Sequence, residues 1–157
     1  MAIVYPYLPS GRTILYAGEE NAFIQAAKDE ARLHSLDMTM PTGAVLVRDG
    51  NIISSAANGS EYHKTHECER VKQNVPTGQR YDLCEGCHSK HHAERKAVER
   101  ATDPKGADLY LWGHWWACES CWNTMIEGGI GDVYLLEGSE RLFDKNSPEN
   151  IVGKQFG

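Results

Sequence analysis

The chain has 157 residues, of which 24% are charged and 41% hydrophobic, and this ordinary globular composition excludes a disordered or collagen-like protein. Its formal net charge of −6 argues against a polynucleotide partner, because proteins that bind a phosphate backbone usually carry a basic face. No apolar run reaches the roughly 18 residues that cross a bilayer, and the opening MAIVYPYLPSGR lacks the pattern of a secretory signal. We therefore expect a cytoplasmic protein with no membrane partner, whose five cysteines are thiols or metal ligands rather than disulfides.

The predicted elements belong to a single domain over residues 1–157. Residues 1–18 are rich in proline and tyrosine and predict an extended arm. Apolar spacing predicts a helix from 19 to about 36, and Asp49-Gly50 is typical of a hairpin turn. The other predicted elements are strands at 43–47 and 51–56, a helix at 92–101, a strand at 108–112, a helix at 118–127 and a strand at 131–136. No element is predicted in the polar tail at 138–157, and the alternation of strands and helices favours an α/β layered domain.

The stretch from 58 to 91 is polar and has no sustained hydrophobic period. It contains four of the seven histidines and three of the five cysteines. Uncovered loops of this length are uncommon in compact domains and are usually functional or held by something.

His92 and Glu94 begin one predicted helix, and Cys118 and Cys121 begin the next. One imidazole and two thiolates are good zinc ligands, and the helix dipole favours anionic thiolates at a helix start. Three protein ligands leave a fourth tetrahedral position for water, as in catalytic zinc sites. Glu94 is placed to reach that water without occupying the metal, so its carboxylate can act as a proton shuttle.

Two alternatives use the same residues. One is a structural zinc completed by a fourth side chain, and the other is a surface His-Glu pair with incidental cysteines. The combination H-x-E…C-x-x-C, with each part at a predicted helix start, is typical of zinc nucleobase deaminases and favours catalysis.

Over about residues 20–137 the chain resembles the cytidine and deoxycytidylate deaminase superfamily. The resemblance lies in the segments PTGAVLVRDGNIISSAANG, HAERKAV, GADLYLWGHWWACESCW and GGIGDVYLLEG. Asn58-Gly59, followed by Cys68-Glu69-Arg70 and by a cysteine-bearing stretch before HAE, is most similar to deoxycytidylate deaminases. The segment LWGHWWA before Cys118 departs from the family pattern: it is longer, and Ala117 stands where proline is usual.

The resemblance implies a three-layer α-β-α sandwich around a five-stranded mixed sheet, a homo-oligomer, and hydrolytic release of ammonia from C4 of a cytosine ring. By position, it implies that His92, Cys118 and Cys121 bind Zn²⁺ and that Glu94 moves protons. It also implies that the Ala44 backbone touches the base and that Asn58 holds the sugar hydroxyl.

Several side chains have two interpretations. Trp115 or Trp116 could stack on a flat heterocycle, or pack in the core or at a subunit interface. His114 could hydrogen-bond the substrate or be a structural histidine. The cationic residues of the long loop could bind a 5′-phosphate or be solvated surface charges; they are Arg70, Lys72 and Arg80.

Cys68, Cys84 and Cys87 form a second candidate metal group. A Cys-x-x-Cys pair with a distant cysteine predicts a closed tetrahedral zinc site, with His66 as the preferred fourth ligand. His63 and His88 are alternatives, and so are ordinary reduced thiols. Some deoxycytidylate deaminases are similar in carrying a second, structural zinc.

The function expected from the sequence is zinc-dependent hydrolytic deamination of a small cytosine nucleotide, with dCMP converted to dUMP and ammonia. One alternative is deamination of a free base, a nucleoside or another small aminated heterocycle, and the net charge disfavours tRNA. A further alternative is a zinc-stabilised binding module with no catalytic activity.

Overall fold

The computed structural model describes residues 7–37, 40–75, 80–115 and 117–156, and it describes His63 only through its backbone. Five strands form a mixed sheet in the order β1-β5-β4-β2-β3. The strands are β1 (Ile14–Ala17), β2 (Gly43–Arg48), β3 (Asn51–Ala57), β4 (Asp108–Trp112) and β5 (Val133–Leu136). β5 pairs in parallel with both β1 and β4, whereas β2 pairs antiparallel with β3 and β4.

The helices are α1 (Ala22–His34), α2 (Glu69–Lys72), α3 (Ala93–Arg100), α4 (Glu119–Glu127) and α5 (Ser139–Phe143). Side chains alternate along β4: Leu109 and Leu111 pack into a core with α3 and α4, and Trp112 packs with α1 and α5 on the opposite face. Because both faces of the sheet are covered, its strands consist largely of apolar residues. The predicted α/β fold with a five-stranded mixed sheet is confirmed.

Helix α1 lies unusually close to the sheet. Asn21 caps it, since its Oδ1 accepts hydrogen bonds from the backbone N–H groups of Phe23 and Ile24. A Cβ atom on Gly43 would lie 2.0 Å from the carbonyl oxygen of Ala27. Glycine at this first position of β2 therefore allows the helix backbone to pack directly on the strand.

The structure differs from the predicted elements at three places. The part of the predicted arm that the structure describes contains β1, and the polar tail contains α5. Within its described residues, 58–75 and 80–91, the long stretch contains α2 and four short 3₁₀ turns, namely Glu61–Lys64, Tyr81–Leu83, Glu85–Cys87 and Ser89–His91. These elements have few residues each, so they produce little hydrophobic periodicity. Within the described residues, no helix combines the length and the apolar composition needed to cross a membrane.

Candidate active site

The side chains of His92, Cys118 and Cys121 meet where α3 and α4 begin. Nδ1 of His92 lies 3.4 Å from each of the two sulfurs, which are 3.2 Å apart. Zinc bonds to nitrogen and sulfur are about 2.0–2.3 Å long, so one ion can contact all three atoms. The donor set and its geometry therefore fit a zinc ion with one coordination position left over.

The N-terminus of α4 provides an electrostatic environment suited to a thiolate. Cys118 is the N-cap residue, and its Sγ accepts a hydrogen bond from the backbone N–H of Cys121. The hydrogen bond between the two sulfurs, with that of the His92 ring, lowers the pKa of Cys118 to about 4 although burial opposes this shift. Cys118 is thus a thiolate at neutral pH, the form that binds a metal ion.

Glu94 lies beside this ligand set, in the first turn of α3. Glu94 is only 5% exposed to solvent. This burial is the main cause that raises the pKa of its carboxyl group above the usual range. Its carboxyl group contacts the thiol of Cys121, but it is not one of the three grouped metal donors. A buried carboxyl group next to these donor atoms is placed to act as a general acid or base.

A cavity of about 680 Å³ opens over these residues. His92, Glu94 and Cys118 are among its lining residues, and the stretch 58–91 provides many of the others. Its cationic lining residues are Lys64, Arg70 and Lys145, and Asp37 is an acidic one besides Glu94. A drug-sized or nucleotide-sized molecule fits in a cavity of this volume.

The structure brings two of the four predicted substrate contacts to the cavity. Asn58 and His114 line it. Ala44, which is fully buried in the core, and Trp115, which packs against both apolar clusters, are not among its lining residues. Strand position explains the placement of Ala44, because its side chain points into the layer beneath α3 and α4. Trp116, the other candidate for stacking, lies outside the described residues.

The side chain of Asn58 forms hydrogen bonds to neighbouring residues of the protein. Its Oδ1 accepts hydrogen bonds from the backbone N–H of Thr42, at 2.8 Å, and from the hydroxyl of Ser35. Its Nδ2 donates to the carbonyl oxygen of Met40, at 2.9 Å. Asn58 therefore holds the cavity wall formed by residues 35–37 and 40–42.

Outside the first site, the sulfurs of Cys68, Cys84 and Cys87 form a second group in which all donor atoms lie within 4.8 Å of one another. The structure does not bring His66 to them. The His66 ring stacks on Tyr62 with centroids 4.2 Å apart, and its Nδ1 lies 2.9 Å from the Thr65 hydroxyl. His66 is therefore not among the grouped donors, and its role as the fourth ligand stays a prediction.

His88 and His63 are the other two candidates for the fourth ligand of this group. Nδ1 of His88 accepts a hydrogen bond from the backbone N–H of Lys90, and His88 is not among the grouped donors. The side chain of His63 lies outside the described atoms.

Sequence reasoning missed two residues of the site. The ring of Tyr81 meets the His92 ring edge-on, with centroids 4.6 Å apart, and Lys145 reaches the cavity from the tail. An aromatic residue within a polar loop is a weak signal that could have indicated Tyr81. No sequence signal indicates Lys145, because the tail has no predicted element.

Residues 18–137 match the family model of the cytidine and deoxycytidylate deaminase zinc-binding region. Among solved structures, the chain is similar to the dCMP deaminase of cyanophage S-TIM5, at 21% identity and a TM-score of 0.47, over 73% of this chain and 79% of that one. It is also similar to a Thermotoga maritima diaminohydroxyphosphoribosylaminopyrimidine deaminase/5-amino-6-(5-phosphoribosylamino)uracil reductase, at 24% identity and a TM-score of 0.46. That match covers 83% of this chain and 31% of the Thermotoga chain. The sequence has no significant match among curated proteins.

Proposed function

Because the chain belongs to the cytidine and deoxycytidylate deaminase family through its zinc-binding region, we propose that it hydrolyses the amino group from the cytosine ring of a nucleotide. The specific reaction is dCMP plus water to dUMP plus ammonia. The charge of the cavity wall is the observation that supports a nucleotide as the substrate.

Lys64, Arg70 and Lys145 line the cavity of a chain whose formal net charge is −6. Three cationic side chains thus line the cavity of a chain that is acidic overall, although Lys64 also pairs with Glu61. A free base or a nucleoside has no anionic group that would use them. This local charge supports a nucleotide over the smaller substrates.

Arg70 is the strongest candidate for the phosphate contact. Of the cationic residues in the long loop, Lys72 forms ion pairs with Glu67 and Glu69, and Arg80 pairs with Asp82. Neither Lys72 nor Arg80 lines the cavity, whereas Arg70 does. Its planar guanidinium group can donate two parallel hydrogen bonds to a phosphate.

His92, Cys118 and Cys121 would hold the zinc ion. A zinc ion in that position supplies Lewis acidity and makes a water molecule a strong nucleophile at neutral pH. Glu94 takes a proton from the attacking water and delivers it to N3 of the ring, while the oxygen adds to C4. Glu94 then takes the remaining proton from the oxygen on C4 and transfers it to the amino nitrogen, which leaves as ammonia while the C4 carbonyl forms. The buried position of Glu94 suits this double role, since a raised pKa allows it to take and return a proton.

Ammonia release from a panel of substrates tests the proposal. The panel is dCMP, dCTP, deoxycytidine, cytosine and guanine, each with zinc-replete protein. We expect dCMP to give the highest kcat/KM, with a loss of about ten- to a hundredfold for deoxycytidine, as one lost charge-assisted hydrogen bond predicts. Equal kcat/KM for deoxycytidine and dCMP would exclude the nucleotide specificity. No ammonia from any of them would favour the binding module.

A further inference from the structure

Lys96 in α3 directs its ammonium group at two main-chain carbonyl groups. Its Nζ atom donates hydrogen bonds to the carbonyl oxygens of Ala57, at 3.0 Å, and of Gly59, at 2.9 Å. Lys96 is half-buried, and none of the ion pairs among the described residues includes it. Lysine usually keeps its charge in water, so these two bonds must offset the hydration that the ammonium group loses.

The two carbonyl groups belong to residues 57–59, the wall segment, which leads from β3 into the lining of the cavity. Its first residue ends β3, and Asn58 and Gly59 line the cavity. The backbone N–H of Gly59 donates to the carbonyl oxygen of His91, at 3.0 Å. Gly59 has a φ of +98°, and a Cβ atom there would lie 2.7 Å from the backbone nitrogen of Asp37. The wall segment is therefore closely fitted to the chain on both sides of it.

Helix α3 carries both Lys96 and the residues of the candidate active site. The backbone N–H of Lys96 donates to the carbonyl oxygen of His92, at 3.1 Å. The two residues are four positions apart, so their side chains are neighbours on one face of the helix. Glu94 lies between them in the sequence. Lys96 thus connects the wall segment directly to the helix that positions Glu94 and His92.

We propose that Lys96 is a positioning residue whose ammonium group holds the wall segment against α3 and so sets the distance between Asn58 and Glu94. The hydrogen bonds to the two carbonyl oxygens carry this inference. Its kinetic consequence rests on the proposed function, because it requires a substrate that lies between the wall segment and Glu94. Loss of the ammonium group should affect mainly KM, since the wall segment faces the substrate whereas Glu94 is held by α3 itself.

Kinetics of Lys96→Met test this role, with Arg100→Met as the matched control. Arg100 lies on the same helix, and its Nη1 donates to a carbonyl oxygen of the same strand, that of Ser55, at 3.2 Å. Among the described residues, Lys96, Arg100 and Ser55 are not part of the cavity lining. For the best substrate of the panel, we expect KM to rise about tenfold in Lys96→Met, the size of one lost charge-assisted hydrogen bond, with a much smaller change in kcat. An unchanged KM, or an equal rise in Arg100→Met, would overturn the proposal.

Chemical rescue separates the ammonium group from a general loss of packing. Lys96→Ala leaves a space of the length of n-propylammonium, and this cation can donate to the same two carbonyl oxygens. We expect added n-propylammonium to bring KM back towards the wild-type value, whereas 1-propanol and tetramethylammonium at the same concentration do not. No recovery with n-propylammonium, or equal recovery with 1-propanol, would contradict the role of the charge.

Amide hydrogen exchange tests the wall segment without any substrate. The N–H of Gly59 is the reporter, and in Lys96→Met it should exchange about tenfold faster than in wild type, while Arg100→Met leaves it unchanged. If no substrate releases ammonia, the proposed function fails, and this measurement still decides whether Lys96 holds the wall segment. Unchanged exchange at Gly59 would overturn the inference. If Lys96→Met does not fold, Lys96→Gln replaces it in both measurements; its amide can still donate to one carbonyl oxygen, so a smaller increase is expected and no increase would be decisive against the proposal.

Discussion

The hydroxyl of Ser89 lies 2.9 Å from the hydroxyl of Ser120. Nη1 of Arg95 lies 3.2 Å from both oxygens, and Nε of Arg95 donates to Glu99. Ser120 stands between the two cysteines of α4, while Arg95 follows Glu94 in α3. This small polar cluster therefore ties the ends of α3 and α4 that carry the metal donors to the stretch 58–91.

The first prediction concerns Arg95. We expect Arg95→Met to lower the free energy of unfolding by about 1–3 kcal/mol, because Ser89 and Ser120 lose a charged donor in a half-buried position. It should also weaken zinc retention in competition with a chelator. Glu99→Gln is the control: it removes only the exposed ion pair with Arg95, which is worth less than about 1 kcal/mol. Equal effects of the two variants would show that the serine contacts contribute nothing.

The second prediction separates the metal ligands from the proton shuttle. Glu94→Gln should retain zinc and the fold but lose nearly all turnover, since glutamine cannot carry the proton. Cys118→Ala should lose the first zinc and the activity together. Both are measured by metal content, circular dichroism and ammonia release. Loss of zinc in Glu94→Gln would make Glu94 a ligand and refute its assignment as the shuttle.

The third prediction concerns the phosphate. Arg70→Gln should lower kcat/KM for dCMP about ten- to a hundredfold, through loss of a charge-assisted hydrogen bond, and should change kcat/KM for deoxycytidine little. Arg80→Gln is the matched control, because Arg80 is exposed and pairs with Asp82 away from the cavity. A decrease of the same size for both substrates would mean that Arg70 acts on the ring or on the fold, not on the phosphate.

The fourth prediction concerns the cavity wall held by Asn58. Asn58→Asp replaces an amide donor with a carboxylate next to the carbonyl oxygen of Met40, and near Oδ2 of Asp37 at 3.5 Å. We expect destabilisation by about 1–3 kcal/mol at neutral pH. The repulsion raises the pKa of the new carboxyl group, so stability relative to wild type should recover as the pH falls through that pKa.

Thermal unfolding at several pH values measures this effect. Asn51→Asp is the control, since Asn51 is exposed and its amide donates only to a neighbouring backbone carbonyl. If the deficit of Asn58→Asp were independent of pH, its cause would be steric and not electrostatic.

The group of donors formed by His92, Cys118 and Cys121 could be predicted because its sequence signal is local. His92 and Cys118 each occupy the N-cap position of a helix, and a helix start is recognisable from a few residues. The family match confirms the zinc cofactor and the deaminase superfamily. The α/β class was also predictable, because the longer strands and helices produce a clear hydrophobic periodicity in the sequence.

Features that depend on distant partners were not predictable. β1 has four residues and is a strand because β5 lies beside it. Trp115 also depends on distant partners: it packs against two apolar cores, and its neighbours in the sequence do not indicate this packing. Lys145 likewise reaches the cavity only through the path of the tail after α5.

The pairing of β1 with β5 has a consequence for synthesis on the ribosome. Translation produces Ile14–Ala17 early and its parallel partner Val133–Leu136 late. Until β5 has left the exit tunnel, β4 has an unpaired edge and β1 has no neighbour, so the nascent chain presents open strand edges. Pairing between distant strands is also slow to form. Completion of the sheet is therefore a late step of biogenesis, and chains arrested between β4 and β5 should be preferred clients of cellular chaperones.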